Sequence, residues 1–409
     1  MKRYFPFFQW IRHYKKSYLQ GDLSAGITVG VMLIPQGMAY AMLAGLPPIY
    51  GLYAATLPLV VYALLGTSRQ LAVGPVAMVA LLTASGLGQF ATIGTEHFIE
   101  LAISLAFLVG LIQFSMGLFR LGFLVNFLSH PVIAGFTSAA AIIIGISQLK
   151  HLLGIPIPRG HLYETLVHLF QALEKVNLPT FLLGSVAIAF LWLLKKRHRK
   201  FPAPIVAVVA GILSTYLFDL SALGVSIIGN VPSGLPMPAL PNLQLDTLQL
   251  LLPTALTIAF VSFMESIAIA KAIQKKHQDY SIDNNQELIG LGLANVFGAF
   301  FKAFPVTGGF SRTAVNDQAG AKTGLAAIIS ALLIVLSLLF FTSNFYYLPT
   351  AILSAIILVA VIGLIDVEEA RHLWQTDRRD FSLFIVTALG TLLLGIEQGI
   401  LLGAGLYLV

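Results

Sequence analysis

The chain has 409 residues, of which 57% are hydrophobic and 10% are charged, with a formal net charge of +6. Soluble domains carry about 25% charged residues, and so few charges cannot cover a water-facing surface. The composition therefore excludes a disordered chain, a coiled coil, a nucleic-acid module with a basic coat and a soluble enzyme; embedding in a lipid bilayer is the simplest reading.

Residues 1–22 are basic and aromatic, with no short apolar core and no small-residue cleavage site. They read as a cytoplasmic N-terminal segment rather than a cleaved signal. Long stretches without Asp, Glu, Lys or Arg follow, among them Leu23 to Ser68 and Thr323 to Ile365. A membrane span needs about 20 apolar residues, so the longest stretches hold two spans each. The first pair divides at Gly45-Leu46-Pro47-Pro48. Fourteen segments are expected, several of them short or broken, at 23–44, 49–65, 71–88, 97–118, 125–149, 178–194, 204–220, 248–270, 285–301, 308–321, 324–341, 348–364, 380–395 and 398–409. A loop is expected around 150–177, and the Pro-rich stretch Val231 to Pro241 reads as a linker.

With both termini in the cytoplasm, 19 of the 24 basic residues fall on the inner side. These are Lys2, Arg3, Arg12, Lys15, Lys16, Arg69, Arg120, Lys195, Lys196, Arg197, Arg199, Lys200, Lys271, Lys275, Lys276, Lys322, Arg371, Arg378 and Arg379; Lys150, Arg159, Lys175 and Lys302 fall outside. That asymmetry obeys the positive-inside rule. Arg312 alone falls inside a membrane segment. Seven segments per half is an odd number, so the second half (231–409) lies inverted relative to the first (23–230), a transporter architecture. The fold class is thus an all-α membrane protein with fourteen transmembrane segments in a 7+7 inverted repeat. The chain stops at Val409 within an apolar run, so the natural protein is expected to continue into the cytoplasm.

Two segments carry Gly/Pro interruptions. In Gln70–Leu82, an extended piece at Leu71–Val73 meets Gly74-Pro75 before a helical run, and Pro is favoured in a first helical turn. A half-helix starting in mid-membrane and an ordinary helix with a Pro kink both fit. In Ala303–Asn316, Pro305-Val306-Thr307-Gly308-Gly309 cannot form a regular helix, and Ser311 or Thr307 is expected to cap a helix starting near Phe310. Its free N–H groups and positive dipole end would face the membrane centre. Arg312 in the first turn adds charge to an already electropositive end and needs an anion or carboxylate to offset it. An anion site built from two half-helix ends and a guanidinium meets that need. A structural pair of Arg312 with Glu265 or Asp317, or simple snorkelling, are the alternatives. Glu265 is the other ionisable group that looks intramembrane, a functional feature by default; it fits a proton carrier or a fixed salt bridge. Gln36 and Tyr40 share a helix face, suited to hydrogen bonding and walling a substrate or simply to helix packing.

No enzyme signal survives inspection. Gly320-Ala-Lys-Thr323 only mimics the end of a P-loop, Gly309-Phe-Ser-Arg-Thr313 lacks the second Gly of a nucleophile elbow, and there is no His-Glu-x-x-His pair. His130 and His151 read as helix-end or packing residues. Cysteine is absent, which excludes disulfides and thiolate metal sites. No cofactor, metal or nucleic acid is expected, and without an ATP motif transport has to run on gradients.

Several motifs resemble the SulP sulfate permease family, which includes pendrin and prestin. They are Gly21-Asp22-Leu23-x-Ala25-Gly26-x-Thr28, Ile34-Pro35-Gln36-Gly37-Met38-Ala39-Tyr40-Ala41, Leu46-Pro47-Pro48-x-Tyr50-Gly51-Leu52-Tyr53, Val73-Gly74-Pro75-Val76-Ala77, Pro131-Val132-Ile133-x-Gly135-Phe136, Met264-Glu265-Ser266-Ile267-Ala268 and Ser311-Arg312-Thr313-Ala314-Val315-Asn316. The resemblance spans essentially the whole chain. It implies the 7+7 repeat divided into a core domain (segments 1–4 and 8–11, about 23–120 and 248–341) and a gate domain (segments 5–7 and 12–14, about 121–230 and 348–409). It implies elevator-like motion of the core and an anion site between segments 3 and 10, aided by 1 and 8. Transferred by motif position, that site comprises Gln36, Tyr40, Val76, Ala77, Phe310, Ser311 and Arg312, with Glu265 for the coupling ion. Family members usually end in a cytoplasmic STAS domain, which is missing here, and often form homodimers. The acid at Glu265 favours coupling to a proton ahead of sodium. The resulting expectation is a secondary active anion transporter of a bacterial inner membrane, for sulfate first and then bicarbonate or a dicarboxylate. An uncoupled exchanger or channel and a nucleobase symporter are the competing readings.

Overall fold

The computed structural model describes residues 6–123, 130–157, 162–197, 202–277 and 280–408. Lys2, Arg3, Arg159, Arg199 and Lys200 lie outside these, as do all of residues 125–129 in the fifth expected segment and the side chains of His130 and Lys195. In chain order the helices are α1 (Phe7–Arg12), α2 (Lys16–Ala44), α3 (Ile49–Tyr53), α4 (Leu57–Leu65), α5 (Ala77–Leu87), α6 (Glu96–Leu118), α7 (His130–Leu153), α8 (Leu162–Gln171), α9 (Leu178–Arg197), α10 (Ala203–Leu217), α11 (Leu245–Gln274), α12 (Asn284–Phe300), α13 (Phe310–Gln318), α14 (Leu325–Phe340), α15 (Thr350–Ile362), α16 (Val367–Thr376), α17 (Arg378–Leu394) and α18 (Ile396–Leu408). Strands β1 (Val73–Gly74) and β2 (Thr307–Gly308) and short 3-10 helices at Leu173–Lys175 and Thr342–Phe345 accompany them. Among the described residues, five stretches are long and apolar enough to cross a membrane: α2, α6, Pro131–Leu153 within α7, α11, and Thr350–Thr376 across α15 and α16.

Helix ends follow local chemistry. Gly45 closes α2 in the left-handed conformation (φ 88°) that a Cβ would disfavour, and Pro47-Pro48 prevent continuation. Thr95 caps α6 by accepting the Phe98 N–H, and Asp283 caps α12 by accepting from Asn285 and Gln286.

Several expected boundaries move. The first helix of the membrane region begins at Lys16 rather than residue 23, because polar Lys16 and Gln20 are good helix formers although they are not apolar. Residues 49–65 form two helices, with a break at 54–56 before Pro58. The expected loop at 150–177 contains the end of α7 and the amphipathic helix α8. A further amphipathic helix, α16, lies between two expected spans. The Pro-rich stretch is not helical, but it is tied down rather than a free linker: Gly234 N–H donates to Leu338 O and Ala239 N–H to Phe300 O.

The chain divides into two compact units. The first comprises Met1–Val125, Arg197–Ile205 and Asn230–Phe345. Within it α2 packs on α14, α6 on α11 and α12, and α4 on α12, around fully buried Leu33, Phe98, Phe263 and Phe304. A Cβ at Gly110 of α6 would lie 2.6 Å from Gly292 O, so α6 and α12 touch backbone to backbone. The second unit comprises Asn126–Lys196, Val206–Gly229 and Tyr346–Val409, in which α7 packs on α15 and α17, and α17 on α18.

Candidate functional site

The site lies wholly in the first unit. β1 and β2 pair antiparallel, Val73 opposite Gly308 and Gly74 opposite Thr307, and Gly309 N–H extends the ladder to Ala72 O. Each strand runs directly into a helix: β1 through Val76 into α5, β2 through Gly309 into α13. Because the strands are antiparallel, the two helices leave in opposite directions and both N-termini sit at the strand pair. Neither start has a side-chain cap, so first-turn N–H groups and the positive ends of two dipoles converge there.

Three expectations need correction at this point. The interruption at Gly74-Pro75 is a true half-helix start rather than a kink, but Pro75 precedes the N-cap Val76 and stays outside the helix. Thr307 does not cap α13, because its hydroxyl is spent on Ser262 O (2.7 Å). Ser311 does not cap it either: it sits inside the first turn, and the N-cap is Gly309.

Arg312 is buried, only 2% exposed, which excludes snorkelling. Its Nη1 donates to Pro75 O at 2.7 Å, while Nε and Nη2 have no partner. The guanidinium folds back over its own helix start, where a Cβ on Gly309 would lie 2.8 Å from Nη2. Asp317, one candidate partner, is instead engaged by Lys276 (3.4 Å) and His277. Glu265 of α11, the other candidate, is half-buried with Oε2 unpartnered; among the described residues it forms no ion pair with Arg312. Tyr40, Glu265 and Arg312 nevertheless sit within electrostatic range of one another.

Gln36 and Tyr40 are both buried on α2, and neither side chain has a hydrogen-bond partner among the described residues. Val76 and Ala77 are buried at the α5 start. Phe310 and Ser311 are exposed at the α13 start. A buried guanidinium with two unused donors beside two uncapped helix starts is chemistry for an anion: the donors need an acceptor, and the positive field needs a negative charge.

Two further residues of the site, Thr313 and Asn316, stand in the Ser311–Asn316 motif, which assigns them no role. α13 grips the segment before α5 with a polar face: Thr313 Oγ1 accepts Ala72 N–H (3.0 Å) and Asn316 Nδ2 donates to Gln70 O (2.8 Å). The spacing 312, 313, 316 places these side chains on one helical face, the sequence signal that would have found them.

A model of the Sulfate permease family matches residues 19–387. The chain is similar to sulfate transporter 4.1, chloroplastic, of Arabidopsis thaliana, at 47% identity over 98% of this chain and 59% of the relative; it thus spans less than two thirds of that relative's length. Among solved structures it resembles the murine solute carrier 26 family member A9 anion transporter in its inward-facing state, with TM-score 0.93, 28% identity and coverage of 99% of this chain and 70% of that one. It also resembles the transmembrane domain of the cyanobacterial bicarbonate transporter BicA, with TM-score 0.84, 25% identity and coverage of 94% and 98%. The relatives are named transporters, not enzymes. The half-helix pair, the buried arginine between them and these matches together identify the chain as a member of the sulfate permease family, with a mostly helical, membrane-type fold.

Proposed function

We propose that this chain is the membrane part of a secondary active anion transporter, taking sulfate first and bicarbonate or a dicarboxylate next. The observation that carries the reading is Arg312: a buried guanidinium at an uncapped helix start, with Nε and Nη2 unpartnered. An arginine with a purely structural role is expected to pair those donors, because each unmade bond costs about 1–3 kcal/mol. In this reading Arg312 supplies charge and the N–H groups of α5 and α13 supply hydrogen bonds. Gln36, Tyr40, Val76, Ala77, Phe310 and Ser311 surround the anion. Sulfate, bicarbonate and dicarboxylates all fit, and the names of the relatives support the first two.

Glu265 carries the coupling ion, with a proton ahead of sodium. The support is its unpartnered Oε2, close enough to Arg312 for the charge on each to affect the other. The architecture assigned is fourteen segments in a 7+7 inverted repeat, the first compact unit acting as the core that carries the anion in an elevator cycle and the second as the gate. The half-helix starts in both halves and the division of the chain into these units support this. The protein sits in a bacterial inner membrane with both termini cytoplasmic and works as a homodimer.

The test is uptake of a radiolabelled anion panel into proteoliposomes under imposed proton and sodium gradients. Accumulation of sulfate driven by an inward proton gradient supports the reading. Large currents without accumulation assign an uncoupled channel or exchanger. Uracil binding assigns a nucleobase symporter.

A further inference from the structure

The position of Arg312 is inherited from β2, and β2 is held on the side away from β1 by a buried polar network in α6, α11 and α12. Asn295 of α12 is 1% exposed, and its amide engages both backbone groups of one residue. Val306 N–H donates to Asn295 Oδ1 at 2.8 Å, and Asn295 Nδ2 donates to Val306 O at 3.0 Å. The side chain thus does for Val306 what a neighbouring strand would do.

The amide works in only one orientation, which the Leu291 carbonyl, accepting from Asn295 Nδ2 at 3.1 Å, and the fully buried Gln113 of α6 together favour. Asn295 Nδ2 also donates to Gln113 Oε1 (3.2 Å), while Gln113 Nε2 donates to Ser262 Oγ (2.8 Å) and Ala259 O (3.2 Å). The backbone contact at Gly110 and Gly292 brings these two side chains together, since each lies three residues beyond its glycine. Val306 immediately precedes β2, and the two residues of β2 itself are held from α11. Thr307 Oγ1 donates to Ser262 O and shares a 2.6 Å bond with Ser266 Oγ, which accepts Gly308 N–H at 2.9 Å. Residues 306, 307 and 308 are therefore each fixed by a named side chain, and α13 begins two residues later.

We infer that Asn295, oriented by Gln113, is a positioning residue for Arg312: its amide sets the register of β2 and so the place at which α13 presents its N-terminus and guanidinium. Asn295 touches no anion and acts through the backbone. The inference rests on the anion-transport reading for its functional readout, but the clamp itself is open to separate measurement. A membrane interior makes such a clamp valuable, because irregular backbone there has no water to pair with.

The experiment compares wild type with Asn295→Asp and Asn295→Leu of the full chain in proteoliposomes. It measures the KM and Vmax of radiolabelled sulfate uptake per folded transporter, and hydrogen exchange across residues 304–312. Asp keeps the acceptor for Val306 N–H but loses the donor to Val306 O; Leu loses both. The expected result is a KM rise of about tenfold for Asp and more for Leu, as for a binding group displaced by a fraction of an ångström, with Vmax per folded molecule within about twofold and faster exchange at 304–312. A residue that only supports the fold would lower the amount of folded protein and leave KM unchanged; that outcome overturns the inference. Should both variants fail to fold, Gln113→Leu, which removes the bond from Asn295 together with those to Ser262 and Ala259 but leaves both bonds of Asn295 to Val306 available, takes the same measurement, with a smaller rise in KM expected and an unchanged KM overturning the inference. A wild-type protein that takes up no anion defeats the transport reading instead, and unchanged exchange at 304–312 in Asn295→Asp then defeats the clamp as well.

Discussion

One methyl group at Gly309 tests the site more sharply than removal of any charge. Gly309 has φ −105° and ψ 126°, a conformation open to any residue, so alanine there brings no backbone strain. Its Cβ would lie 2.8 Å from Arg312 Nη2 and 2.9 Å from Cζ, where ordinary contact begins at 3.4 Å. The guanidinium has to move by roughly half an ångström to restore normal contact. It is buried and anchored to Pro75 O at 2.7 Å, so the movement stretches or breaks a charge-assisted bond worth about 1.5–3 kcal/mol. At 1.4 kcal/mol per tenfold, the apparent affinity for the anion falls by about 10- to 100-fold. The helix itself loses less than that, since exchanging glycine for alanine at an N-cap costs about 1 kcal/mol or less. The assay is the KM for sulfate uptake into proteoliposomes, together with thermal unfolding of the same variant in detergent with and without sulfate. A Gly309→Ala protein with wild-type KM would show that the guanidinium need not occupy this place, and the argument from its geometry would fail.

Four further outcomes follow from the same structure. Arg312→Ala is expected to abolish anion uptake while the protein still folds, because among the described residues its side chain gives the fold one hydrogen bond, to Pro75 O; undiminished uptake would dismiss Arg312 as the charge at the site. Glu265→Gln should leave anion exchange in place but remove its dependence on a pH gradient; persistence of that dependence reassigns the coupling group. Glu287→Gln is expected to lower the thermal midpoint by several degrees. The fully buried carboxylate accepts from Tyr62 O–H, Thr67 N–H, Thr67 Oγ1 and Ser68 N–H, and each donor left unpaired costs about 1–3 kcal/mol. An unchanged midpoint would show that water or rearrangement satisfies those groups. Asp22→Ala should accelerate hydrogen exchange at 320–325, since Asp22 accepts from Lys322 N–H, Thr323 N–H and Thr323 Oγ1; equal rates would count against its holding the α13–α14 connection.

The sequence reveals the half-helix starts because Gly and Pro interrupt otherwise apolar runs, and it reveals Arg312 because so few charges leave it conspicuous. It does not reveal what Arg312 binds. The alternatives of a pair with Asp317, a pair with Glu265 or a free guanidinium are separated only by distance, and Asp317 turns out to be engaged by Lys276 and His277. Gln113, Asn295, Ser262 and Ser266 escape notice for the same reason. A single polar residue in an apolar helix signals an inward face without naming its partner, and these partners come from three different helices. Pro75 illustrates a local limit: the residue types specify a break, yet whether the proline enters the first turn or precedes the cap depends on the pairing of Gly74 with Thr307.

That pairing has a consequence for assembly. The strands are two residues each, and the contacts that join the half-helices connect positions 237 and 241 residues apart in sequence. As the chain is made, β1 emerges more than half a chain before its partner exists. Its backbone groups, set within an apolar stretch, have nothing to pair with until β2 follows, and lipid offers no substitute. The paired half-helix starts around Arg312 are therefore a late product of biogenesis, closed by long-range contacts of the kind that slow folding. Inherited or engineered defects far along the chain, in α12 or β2, are expected to surface first as instability around residues 70–76 of the early half.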